Sequence, residues 1–151
     1  MKKSLKIILI VLAVIVLAAA YYLISPLFRV VEMNEESPIE SDLRGEIVAN
    51  ILYESGFIPA NHDVAGKVLV IDDGDSRILR FEDFDTVNGP DLFIYLATDN
   101  SAEDYVNLGR IKATKGNVNY DIPANVDLEK YDTVLVWCRA FRVLFSYAEL
   151  N

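Results

Sequence analysis

From residue 7 to residue 24 the chain reads IILIVLAVIVLAAAYYLI, with no charge, no proline and no glycine, and this run limits what the molecule can be more than any other feature. About 20 such residues, rising 1.5 Å each, cover the roughly 30 Å hydrocarbon core of a bilayer, so the run predicts a membrane-spanning helix. Tyr21 and Tyr22 fall where interfacial rings are favoured, and Lys2, Lys3 and Lys6 hold the amino terminus on the cytoplasmic side. Ala18 and Ala20 would also suit the cleavage site of a signal peptide. The apolar character continues past them to Phe28, which fits a retained span better than a cut. No cysteine ends the run, so a lipoprotein anchor is not expected. The expectation is a single-pass anchor over residues 1–28, with everything after it outside the cytoplasm.

All 23 acidic residues follow Val31, whereas four of the 14 basic ones, Lys2, Lys3, Lys6 and Arg29, precede it, so the distal part carries a net −13. Such a field repels phosphate backbones and excludes nucleic acid as a partner. Residues 29–46 are rich in Glu and Ser with little to pack, and they read as an acidic flexible tether lifting a domain off the bilayer. Residues 47–151 then show short apolar runs broken by Gly, Pro, Asn and Asp, the pattern of an all-β sandwich or barrel. Strands are expected near 47–57, 64–71, 77–82, 91–97, 106–113, 117–122, 132–138 and 142–148. DLFIYLA and DTVLVWC are apolar at both parities, so they are expected as central strands covered on both faces. In the second, Val134, Val136 and Cys138 share one face, while Thr133, Leu135 and Trp137 share the other.

The chemistry-bearing residues are few. CxxC, CxxCH, a phosphate-binding glycine loop and a GxSxG elbow are all missing, and one histidine with no serine in an elbow argues against a hydrolytic triad. No turnover chemistry follows from the sequence, so no enzyme class is assigned. Cys138, the single cysteine, is either a small buried hydrophobe or, with Arg139 and Arg142 close by, a thiol at a positively charged rim. His62, the single histidine, sits in the turn FIPANHDVAG as either an exposed polar residue or a ligand. One Cys and one His do not make a four-ligand zinc site. Asp72, Asp73 and Asp75 around Gly74 read as a hairpin turn rather than a calcium loop. Trp137, Tyr95, Phe81, Phe84 and Phe145 either line a pocket for a flat cofactor or pack as core.

From about Asn50 to Leu150 the blocks GFIPANHDVAG, ILRFEDF, GPDLFIYLA, LGRIKATKGNVNYDIP and YDTVLVWCRAFRVLFSYAEL resemble the DM-thirteen domain, an electron-transfer family. The resemblance implies a β-rich extracytoplasmic domain engaged in redox reactions through Cys138, either as a free thiol or as the ligand of a prosthetic group such as haem. His62 would be a second candidate cofactor-binding position, with Trp137 beside the cysteine as a third. Similar domains elsewhere are joined to haem-binding partners, and none is encoded here. A separate redox or envelope protein at the membrane is therefore the expected partner. Two readings remain open: a membrane-tethered redox module, and a non-catalytic surface sandwich in which Cys138 is core packing.

Overall fold

The computed structural model describes residues 3–25, 29–39, 50–72, 74 and 76–150. Helix α1 (Lys3–Ile24) has 22 residues, none of them buried, and at 1.5 Å per residue is about 33 Å long. It is long and apolar enough to cross a membrane, a test that a signal sequence also passes.

The rest is β structure. In chain order the strands are β1 (Glu32–Asn34), β2 (Asn50–Gly56), β3 (Ile58–Pro59), β4 (Val64–Asp72), β5 (Arg77–Thr86), β6 (Leu92–Ala97), β7 (Tyr105–Arg110), β8 (Lys115–Ile122), β9 (Thr133–Cys138) and β10 (Val143–Glu149). All eight expected strands form, and the short β1 and β3 are additional. One sheet has the order β1-β8-β5-β4-β2 and the other β3-β10-β9-β6-β7. Among the described residues every pairing is antiparallel except the parallel β1–β8.

Packed face to face, the two sheets form a sandwich. Val68, Val70, Leu79 and Phe81 of the first sheet and Ile94, Leu96, Val134 and Val136 of the second are all fully buried in one core. Each such side chain contributes about 1.5–3 kcal/mol of transfer free energy. As expected from their double parity, β6 and β9 are central and covered on both faces. Cys138 faces the core between the sheets, whereas Leu135 and Trp137 belong to an outer layer with Phe93, Tyr95 and Tyr147.

The β4–β5 connection is the expected turn: Gly74 takes φ +92° and donates its N–H to Asp72 Oδ1 at 2.8 Å. Asp73 and Asp75 lie outside the described residues. Among the described residues no three His, Cys, Asp or Glu side chains are grouped to hold a metal ion.

The acidic segment departs from expectation. Instead of hanging free, residues 31–39 run along the first sheet. Val31 donates its N–H to Thr114 Oγ1 at 3.0 Å, and β1 pairs with β8 from Glu32 opposite Lys115. Glu35 accepts from the Asn119 N–H at 2.6 Å and pairs with Lys112 at 3.1 Å. Ile39 packs on Leu69 and Ile71. Burial alone would raise the Glu35 pKa, but the Asn119 and Lys112 hydrogen bonds outweigh it and hold the carboxyl below its usual value. Composition read as solvation was misleading here because each of these polar groups has a specific partner on β8 or beside it. The tether reading fails for 31–39, and residues 40–49 lie outside the described residues.

Tyr120 sits in the core, and its hydroxyl accepts the Lys112 N–H at 3.0 Å. Burial raises its pKa from 10.0 to about 12 despite that hydrogen bond, with the Glu35 charge adding to the rise. The unfolded phenol therefore loses its proton at a pH where the folded one keeps it. The stability this burial contributes is present below about pH 10 and falls as pH rises to about 12, by up to roughly 2–3 kcal/mol. Urea midpoints measured across that window decline in the wild type and decline less in Tyr120→Phe. Tyr95, raised to about 12 by burial and by Tyr105, contributes to the slope that remains, as do Lys67 and Lys130, both raised by their carboxylate partners.

Candidate functional site

Strand β10 is irregular where it matters. Its register with β9 shifts between Leu144 and Ser146, so Phe145 has no ladder partner and both Phe145 and Ser146 turn into the buried side. The carbonyl of Phe145, free of the ladder, accepts the N–H groups of Ala60, Asn61 and His62, each at 3.2 Å. Asn61 Nδ2 adds a bond to the Leu144 carbonyl at 2.8 Å. Just before this turn β3 pairs with Ser146 and Tyr147, so the whole His62 segment is clamped to the bulge. The result is a close ring contact: the His62 and Phe145 rings lie 3.9 Å apart between centroids at 44°.

Phe145 and Leu92 belong to the same buried cluster. A Cβ added to Gly89 would come within 3.0 Å of both Phe145 Cζ and Leu92 Cδ2, so the glycine backbone closes over these two side chains. Leu92 is directly opposite Cys138 in the β6–β9 ladder. His62, Phe145, Leu92 and Cys138 thus gather at one end of the sandwich, the first two in ring contact and the last two opposite each other in the ladder.

Cys138 is a free thiol with 0% exposure, the last residue of β9 and part of the main apolar core. Of the two alternatives for it, the positively charged rim is not built. Arg139 is one position further along and points to the opposite side of the sheet, as strand geometry requires. Its N–H bonds the Asp91 carbonyl, its Nε meets Asp91 Oδ2 at 3.1 Å, and its guanidinium lies 3.6 Å from the centre of the Phe93 ring. Arg142 is exposed in the turn with φ +54°. Trp137 is half-buried in the outer layer, across the sheet from the sulfur.

The structure therefore brings His62 and Cys138 to the same end of the fold without a hydrogen bond between them, and it sets the Trp137 side chain on the other face of the sheet. The residues present do not fit a haem on Cys138. Ligation needs open space at the sulfur, and a side chain with 0% exposure adjoins no space that even a water molecule can enter. A cleft of about 400 Å3 lies at the same end, lined by Arg29, Asp63, Asp85, Thr86, Val87 and Asn88 among others, but by neither His62 nor Cys138. Phe145 was expected either to line a pocket or to pack as core, whereas Leu92 and Gly89 carried no signal as parts of this site. The one mark of the bulge was the pair Leu144–Phe145, two apolar neighbours that break the alternation of β10.

No curated protein and no solved structure gave a significant match to this chain. The family model described as "Electron transfer DM13" matches residues 56–150, which includes His62, Phe145 and Cys138 and accounts for more than half of the sequence. On that match, the chain belongs to the DM13 electron-transfer family.

Proposed function

We propose that this chain is a membrane-tethered redox module facing away from the cytoplasm, in which Cys138 is the active group and works as a thiol behind a lid formed by Phe145 and His62. Its electron partner is a separate membrane or envelope protein. The observation that carries this reading is that Phe145, whose carbonyl holds the His62 turn and whose ring meets the His62 ring, shares one buried cluster with Cys138 at the same end of the sandwich. Membership of the family supports the redox role. The burial of Cys138 favours thiol over ligand chemistry. With the lid displaced, the Cys138 thiolate attacks one sulfur of a partner disulfide, the partner's S–S bond breaks, and the leaving sulfur takes up a proton. Cys138 is the one cysteine of the chain, so the mixed disulfide lasts until an external thiol attacks it.

The same burial favours a second reading, a non-catalytic surface module in which Cys138 only packs. Two variants separate them. Cys138→Ser costs about 1–3 kcal/mol on either reading, since it adds a hydroxyl to a core where Ser146 Oγ already has no hydrogen-bond partner among the described residues. Urea unfolding measures that loss. Cys138→Ala stays apolar and keeps the fold. In the redox reading it fails to restore the activity lost when the chain is deleted from its membrane, and full restoration would leave the packing reading standing.

A further inference from the structure

We infer that the end of the sandwich bearing His62 and Cys138 rests on the lipid headgroups, with the turn of residues 139–142 as a contact and Phe141 entering the interface. This rests on α1 being a retained membrane span, and it gives the partner of the proposed site a place. Chain length sets the first limit. Four residue steps separate Ser25, at the end of the helix, from Arg29, and at about 3.4 Å each they reach at most roughly 14 Å. Arg29 is already held by the domain: Asn88 Nδ2 donates to its carbonyl at 3.1 Å. Two residues on, Val31 is bonded to Thr114. The acidic segment follows these contacts and so cannot act as a spacer.

The loop that holds Arg29 also fixes the hairpin. Asp91, three residues beyond Asn88, accepts the Arg139 N–H at 3.0 Å. The β9–β10 turn therefore stands at the anchor end, with Phe141 53% exposed between Arg139 and Arg142, both exposed. Val87, 39% exposed, lies at the same end.

The charges are segregated in the sense this placement requires. Around the anchor end stand Arg29, Arg110, Lys115, Arg139 and Arg142 against Glu32, Asp63, Asp85 and Asp91. The opposite end carries Asp99, Glu103, Asp104, Asp127, Glu129 and Asp132, with Lys130 on Asp104. A strongly acidic domain thus presents a nearly balanced, arginine-bearing face to the bilayer and turns its acid away. An exposed aromatic flanked by arginines suits the headgroup boundary.

Single tryptophans test this in the full chain, reconstituted into vesicles of dibrominated phosphatidylcholine in a Trp137→Phe background. Bromine quenches only indoles that reach the lipid. The tryptophan of Phe141→Trp is expected to lose at least about half its emission, as an aromatic seated in the interface would, while that of Asn100→Trp, at the far end, keeps its own. Equal, unquenched emission from both in chains that float with the vesicles overturns the inference and leaves the anchor reading intact. An unquenched but blue-shifted Phe141→Trp places the turn against a second copy and also overturns it. Chains that do not float overturn the anchor reading and the inference together.

Discussion

Phe145→Ala is expected to lower the stability of the domain by about 3–5 kcal/mol and to open Cys138 to alkylation while the chain is still folded. The residue is 4% exposed, its ring meets that of His62 and its tip lies beside Gly89 in the cluster that holds Cys138, so its removal leaves a cavity near the sulfur. The backbone clamp on the Phe145 carbonyl does not depend on the ring, and the His62 turn should stay attached. For a domain of this size the loss corresponds to a fall in Tm of roughly 15–30 °C. If the alanine chain is too unstable to study, Phe145→Leu, costing about 1–2 kcal/mol, keeps the test available. Thermal unfolding gives the first quantity, and the rate of iodoacetamide uptake followed by mass gives the second. An alanine variant that unfolds earlier but modifies no faster than wild type would mean that Phe145 is packing and not a lid.

Gly66→Ala is expected to cost about 2–4 kcal/mol with no loss of buried surface at all. Gly66 has φ +103° where the β4–β5 register shifts between Ala65 and Lys67, and Asp83 opposite it takes φ +49°. A Cβ there would lie 2.6 Å from the Glu82 carbonyl oxygen and 2.8 Å from that of Asp83, both backbone atoms that cannot swing aside. The strain falls on the start of the His62 turn, because the Gly66 carbonyl accepts the Phe57 N–H at 3.1 Å. Phe57 in turn packs 4.9 Å from both Phe81 and Phe84. The expected Tm is lower by roughly 10–25 °C. An alanine variant as stable as wild type would show that the paired bulges relax freely, contrary to the close backbone approach.

Much of this fold could be read along the chain because its strands carry their own pattern. β9 has apolar residues at both parities, and that alone placed it centrally with Cys138 and Trp137 on opposite faces; which face looks between the sheets came from the structure. β1 and β3 could not be read in the same way. At three and two residues they have no periodicity, and they exist through pairing with β8 and β10. Glu35 looked solvated by composition, yet its partners Lys112 and Asn119 are more than seventy positions away in sequence. The site was legible only as two residue types. What connects them, a bulge whose carbonyl takes three N–H groups, is a backbone arrangement with a single local trace in the Leu144–Phe145 pair. The proximity of Arg139 to Cys138 in sequence pointed to a charged rim, but one strand step sends the guanidinium across the sheet to Asp91 and Phe93.

The central claim, that Cys138 exchanges electrons as a gated thiol, is tested most directly by equilibrating the folded full-length chain in glutathione buffers of graded redox poise and weighing the protein at each. The account predicts a reversible mixed disulfide on Cys138 that rises with oxidising poise, reached more slowly than with an open thiol and faster in Phe145→Leu. A Cys138 that stays reduced at every poise until the chain is unfolded would contradict it and leave the cysteine as core packing.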